Sequence, residues 1–136
     1  MRIAVVSVTA QRKEVPEYVK SLARGMESMG HKVDILDAWT DDGYQLPGYE
    51  YIAVCAEALS GWGGKMPDRL PKILGLGSGL GGKKSAAFLK KTSPFFLNMA
   101  LKNLMKAMEA EGMVVNWSDV LLNPPHAEAM GKRIGA

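Results

Sequence analysis

Short, nearly continuous apolar runs alternate along this chain with stretches whose apolar residues recur every three or four positions. Ile3-Ala-Val-Val-Ser-Val8 is rich in β-branched residues and has almost no polar face, the pattern of a strand covered on both sides. From Pro16 the period changes: Val19, Leu22, Ala23 and Met26 share one helical face, and Gly30 suits the end of a helix over residues 15–29. Lys32 to Leu36 and Tyr49 to Ala56 read as further strands, separated by the turn signals Asp41-Asp42-Gly43 and Leu46-Pro47-Gly48. Met66 to Leu76 predicts a short helix that runs into the glycine-rich stretch Gly75–Gly82, and Lys84 to Leu89 a fourth strand. Leu97, Leu101, Leu104, Met105 and Met108 form the clearest helical stripe, with Gly112 at its end. Met113 to Trp117 then predicts a fifth strand and Ala127 to Ile134 a terminal helix. Strands alternating with helices, without a hairpin signal, specify an α/β fold: a doubly wound, five-stranded parallel sheet with helices on both faces. Such sheets bind ligands beyond the carboxyl ends of their strands, near the point where strand order reverses. The loops of interest are therefore 9–15, 56–66 and 91–96.

Composition narrows this picture. A length of 136 residues suits one domain spanning 1–136, and 47% hydrophobic with 23% charged residues is ordinary for a globular protein. Cys55 is the single cysteine, which excludes a disulfide scaffold and predicts a reducing, cytoplasmic setting. Ser7 and Thr9 interrupt the first apolar run, so it reads as a strand and not as a targeting segment, and no run is long enough for membrane insertion. The net charge of +3 comes from basic pairs scattered over the whole chain, which argues against a nucleic-acid partner. Oligomeric state is not encoded in these patterns.

Several motifs carry no chemistry on close reading. Gly77-Ser-Gly-Leu-Gly-Gly82-Lys83-Lys84 resembles a phosphate-binding loop, but Lys84 stands where a magnesium-binding hydroxyl is required, and the segment precedes a strand instead of opening a helix. A phosphoacceptor site needs carboxylates at the ends of the first and third strands; those ends read Thr9-Ala10 and Cys55-Ala56-Glu57. Asp37, Asp41 and Asp42 read as a solvated turn, His31 and His126 have no catalytic neighbours in sequence, and Cys55 reads as core. Met99, Met105, Met108 and Met113 are expected to fill the core, and Phe96 to begin the buried stripe of its helix.

The informative segment is Ser60-Gly61-Trp62-Gly63-Gly64-Lys65-Met66-Pro67, which follows the third strand. Its glycines permit unusual backbone dihedrals, and Trp62 offers a flat face at a strand's carboxyl end, a combination suited to a planar heterocycle. In this loop, in Gly82-Lys83 leading into Ser85-Ala-Ala-Phe88, and in Met130-Gly-Lys-Arg-Ile134, the chain resembles the flavodoxin-like family across nearly its whole length. The resemblance implies FMN as cofactor, with Trp62 against the isoalloxazine and Ser60, Gly61 and Gly63 beside it. The second glycine of the family's loop sits one place early, at Gly64. The family's phosphate turn, S/T-x-T-G-x-T, corresponds to Ser7-Val8-Thr9-Ala10-Gln11-Arg12, so that Ala10 replaces glycine and Arg12 replaces the last threonine. Arg12 and Lys13 offer compensating positive charge to a phosphate of about −1.5 to −2. The loop after the fourth strand would contribute Thr92, Ser93 and Phe95, the last as a second aromatic face, although it lacks the family's usual glycine, acid and tyrosine.

No acid, base or nucleophile is assigned, because a bound flavin would carry the redox reaction. Three functions stay open on sequence alone: an electron carrier with a redox partner protein, an NAD(P)H-dependent FMN or quinone reductase, and a cofactor-free interaction module. Flavodoxins of the familiar kind are acidic, so the +3 charge implies a different class of partner.

Overall fold

The computed structural model describes residues 1–59, 63–77, 79–92 and 95–134. Its elements follow the expected alternation: β1 (Arg2–Val8), α1 (Glu17–Ser28), β2 (Lys32–Asp37), β3 (Tyr51–Ala56), α2 (Arg69–Leu76), β4 (Lys84–Lys90), α3 (Leu97–Glu109), β5 (Val114–Leu121) and α4 (Pro124–Gly131). A short 3-10 turn, Leu46–Gly48, precedes β3 and shifts its start to Tyr51. All strand pairs are parallel, in the order β2-β1-β3-β4-β5. Strand order therefore reverses between β1 and β3, and the carboxyl ends of these two strands open the crevice expected at such a switch point.

The period of two along each strand divides the core into two layers. Ala4, Val6, Val8, Ile52, Val54 and Ala56 face a cluster that includes Leu70, Ile73 and Leu74 of α2 and Leu104 and Met108 of α3. Ile3, Val5, Ala53, Cys55 and Phe88 face α1 and α4 through Val19, Leu22, Met26, Ala127 and Met130. Both central strands are thus covered on two faces, which is why their sequences show apolar runs and not alternation. Burial at 0% exposure makes Cys55 a core residue, as expected, and lifts its thiol well above its ordinary ionisation range.

Further boundaries differ from the sequence reading, and α2 starts at Arg69 instead of Met66. β5 continues to Leu121, past the expected end at Trp117, because it is an edge strand paired only with β4 and tolerates Ser118 and Asp119 on half-exposed faces. The last helix starts at Pro124 instead of Ala127, since Asn123 accepts a hydrogen bond from the His126 amide and two prolines fit the first turn. Two core assignments are also corrected. Met99 is 54% exposed and Phe96 is 60% exposed; Phe96 adopts φ 61 at the N-cap of α3 and turns away from the apolar stripe, which Ala100, Leu104 and Met108 supply instead. Met108 and Met113 are buried and Met105 packs against the core. Among the described residues, no helix is long and apolar enough to cross a membrane.

α1 and α4 cross at a pair of glycines. A Cβ on Gly25 would overlap the Glu128 carbonyl, and one on Gly131 the Leu22 carbonyl, so backbone meets backbone here. Gly25→Ala is expected to lower the unfolding free energy by about 1–3 kcal/mol, because main chain cannot move aside as a side chain would. Gly75→Ala, where an added methyl meets nothing within 4 Å, should raise it by up to about 1 kcal/mol through helix propensity. Urea denaturation of both variants measures the contrast.

Candidate functional site

The loop after β1 is held from two sides. On the β2 side, the Trp39 indole donates to the Thr9 carbonyl at 3.0 Å, and Arg69 lies over the Trp39 ring at 5.5 Å while donating to the carbonyls of Ala38 and Trp39. Thr9 closes a local turn by donating its hydroxyl to the Gln11 carbonyl at 2.6 Å. Backbone bonds from Ala38 N to Ser7 O and from Glu57 N to Val8 O extend the sheet ladder to the rim of the crevice.

On the β3 side the loop is held by a carboxylate. Glu57 is the first residue beyond β3, and only 5% of it is exposed. One carboxylate oxygen accepts from the Ala10 amide at 3.0 Å and from Lys13 Nζ at 3.1 Å; the other accepts from the Tyr18 hydroxyl at 3.1 Å. A buried carboxylate is tolerable only when several donors replace its lost hydration, and a backbone amide, an ammonium and a phenol do so here. Burial first, and the Glu57 charge second, raise the Tyr18 phenol far above its ordinary range, so Tyr18 stays a donor at every working pH. Lys90 sits 5.6 Å from the Tyr18 ring centre and donates to the carbonyls of Lys91 and Leu122.

These groups form one end of a crevice of about 660 Å³ at the carboxyl ends of β1, β3 and β4. Its volume lies within the range of small-molecule sites, ~300–1,000 Å³. The other walls are the Gly63–Gly64 turn and the segment leading into α3, including Phe95 and Phe96. Gly64 has φ +88, and a Cβ there would lie 2.8 Å from the Ala100 amide, so only glycine lets this loop rest on the first turn of α3. Asn103 fixes the approach by donating to the Gly64 carbonyl at 3.0 Å. Phe96 is the one non-glycine among the described residues with positive φ, and Phe95 is 72% exposed at the crevice mouth.

Ala10, Gln11, Lys13, Gly63, Thr92 and Phe95, all singled out from sequence, line this crevice. Ser7 is 1% exposed inside β1, Thr9 is 2% exposed with its hydroxyl turned to Gln11, and Arg12 is exposed on the loop. Ser60, Gly61, Trp62 and Ser93 lie outside the described residues. Glu57 was missed as a site residue, although its signal was present: an acid directly after six apolar strand positions, at a carboxyl end. Among the described residues no group of acids, histidines or cysteines could hold a metal. Both histidines have structural partners, His31 at the Met1 amine and Ile134 carbonyl, His126 at the Leu122 amide.

No family model matches the chain, and no curated protein is similar to it in sequence. Solved structures are similar to it in fold. Oxidised flavodoxin 1 from Bacillus cereus superposes with a TM-score of 0.71 at 16% identity, over 96% of this chain and 95% of that one. The flavodoxin of Streptococcus pneumonia TIGR4 gives 0.71 at 14% identity, over 97% of both chains. Two-electron reduced Megasphaera elsdenii flavodoxin gives 0.67 at 12% identity, over 96% of both. At these identities the likeness establishes a flavodoxin-like fold, with the 2-1-3-4-5 strand order.

Three buried weak acids, Tyr18 beside the crevice and Cys55 and Tyr51 in β3, set an alkaline limit on stability. Cys55, ordinarily ionising at 9.0, and Tyr18 and Tyr51, ordinarily at 10.0, are all raised by burial, Tyr51 to about 12. Above these ordinary values the unfolded chain releases protons that the folded chain retains, so stability is intact below about pH 9 and falls as pH rises further. Urea denaturation at about pH 8 and about pH 10.5 should show that loss, and Tyr18→Phe should reduce it. A flat profile would contradict the burial of these groups.

Proposed function

We propose that this chain is a flavin-binding, flavodoxin-like electron-transfer protein. The observation that carries the reading is the crevice of about 660 Å³ at the strand-order reversal, walled by a glycine turn and exposed aromatics. The likeness to flavodoxins described in oxidised and two-electron reduced states supports it. A bound flavin would supply the electron transfer; the chain supplies burial, orientation and backbone polarity. Gly63, Thr92 and Phe95, with Ser60, Gly61, Trp62 and Ser93 from the sequence, are assigned to the ring.

FMN tests the two ends of the crevice separately. The aromatic end suits the isoalloxazine. The loop end does not suit the phosphate, because the Ala10 amide and Lys13 are already engaged by Glu57, and Thr9 gives its hydroxyl to Gln11. Among the groups assigned there from sequence, Gln11 and Arg12 remain exposed on the loop. Electron transfer therefore needs the ring and not that ester, and a redox partner protein or NAD(P)H would exchange electrons at the exposed Phe95–Phe96 rim.

Titration of purified protein with FMN and with riboflavin, followed by flavin fluorescence and visible absorption, is expected to show saturable binding of at least one. Binding of neither would overturn the reading and leave a cofactor-free interaction module. Trp62→Ala should weaken the binding several-fold, in line with about 0.5–1.5 kcal/mol for one aromatic stack. Steady NAD(P)H consumption with a quinone acceptor would mark a reductase, and its absence a carrier.

A further inference from the structure

We infer that Glu57 supplies from within the chain the negative charge that the first loop is built to hold, so that the crevice selects a phosphate-free flavin, riboflavin, over its phosphate ester. The inference rests on the flavin reading above and concerns only which form of the ligand is taken.

Three donors converge on the Glu57 carboxylate: the Ala10 amide in the turn after β1, the Lys13 ammonium and the Tyr18 hydroxyl. A main-chain amide, a cation and a hydroxyl around one point form the donor set that receives a phosphate, and here a carboxylate of the chain occupies that point. The carboxylate is also committed. Its side chain is 7% exposed, and swinging out would strand the hydroxyl of Tyr18, itself 5% exposed, without an acceptor.

Glu57 lines the crevice together with Ala10, Gln11 and Lys13. A phosphate arriving at this end, carrying about −1.5 to −2, would meet a fixed carboxylate whose charge offsets that of the half-exposed Lys13, which leaves the exposed Arg12 as the other cation of the loop. Lys90 offers its amine to two carbonyls, and Ser7 and Thr9 do not present hydroxyls. A terminal alcohol meets the opposite situation. Two carboxylate oxygens have about four acceptor positions, the three donors occupy three, and a hydroxyl can donate to the remaining one. The same residue thus repels an ester and welcomes an alcohol.

Parallel calorimetric titrations of the full chain and of Glu57→Gln with riboflavin and with FMN test this. The wild-type protein should bind riboflavin about tenfold or more tightly than FMN, as expected for like charges at close range in a partly desolvated site. Glu57→Gln, which keeps the shape and removes the charge, should tighten FMN and shrink or invert that ratio. Equal or tighter binding of FMN by the wild type would overturn the inference while leaving the flavin reading intact, and needs no variant to fold. An unchanged ratio in Glu57→Gln that retains the native circular dichroism spectrum would overturn the role given to Glu57. Failure of both ligands on the wild type would overturn the flavin reading and this inference with it.

Discussion

A single buried carboxylate organises the ligand-facing end of this molecule. Glu57 joins the turn after β1, the lysine that follows it and the first turn of α1 to the end of β3, using one amide, one ammonium and one phenol. Because a charge with so little access to water must be satisfied by protein donors, the positions of Ala10, Lys13 and Tyr18 are coupled to one another. The loop is thereby preorganised, and its anion-holding capacity is spent internally.

The remainder of the fold brings that carboxylate to a useful place. Apolar strands covered on both faces stack α1 and α4 on one side and α2 and α3 on the other, and at the reversal the loops after the paired ends of β1 and β3 leave toward opposite faces of the sheet. Trp39 and Arg69 brace the first loop from the β2 side, while Gly64 and Asn103 set the second against α3. One end of the crevice is consequently charged and rigid, and the other is open and aromatic. That polarity along the crevice distinguishes a ligand's flat head from its tail.

Much of this architecture was legible in the chain. The apolar runs of β1 and β3 and the stripe of α1 state their burial directly, because central parallel strands and amphipathic helices have little freedom in which residues they can use. Legibility failed where burial is partial. Ser118 and Asp119 hide the second half of β5, an edge strand, and the Asn123 cap places the start of α4 ahead of its first apolar residue. Hydrophobicity alone also misplaced Phe96 and Met99, whose side chains turn outward at the N-terminal end of α3. Glu57 was readable as an acid at a strand end, but its meaning depends on Ala10, Lys13 and Tyr18, 47, 44 and 39 residues away, and no local pattern reports such a convergence.

The most direct test is a crystal structure of the protein grown with riboflavin. The account predicts the ring in the crevice beside Phe95 and the glycine turn, with the Glu57 carboxylate still accepting from Ala10, Lys13 and Tyr18. An empty crevice, or a Glu57 side chain swung out with another anion seated on the Ala10 amide, would contradict it.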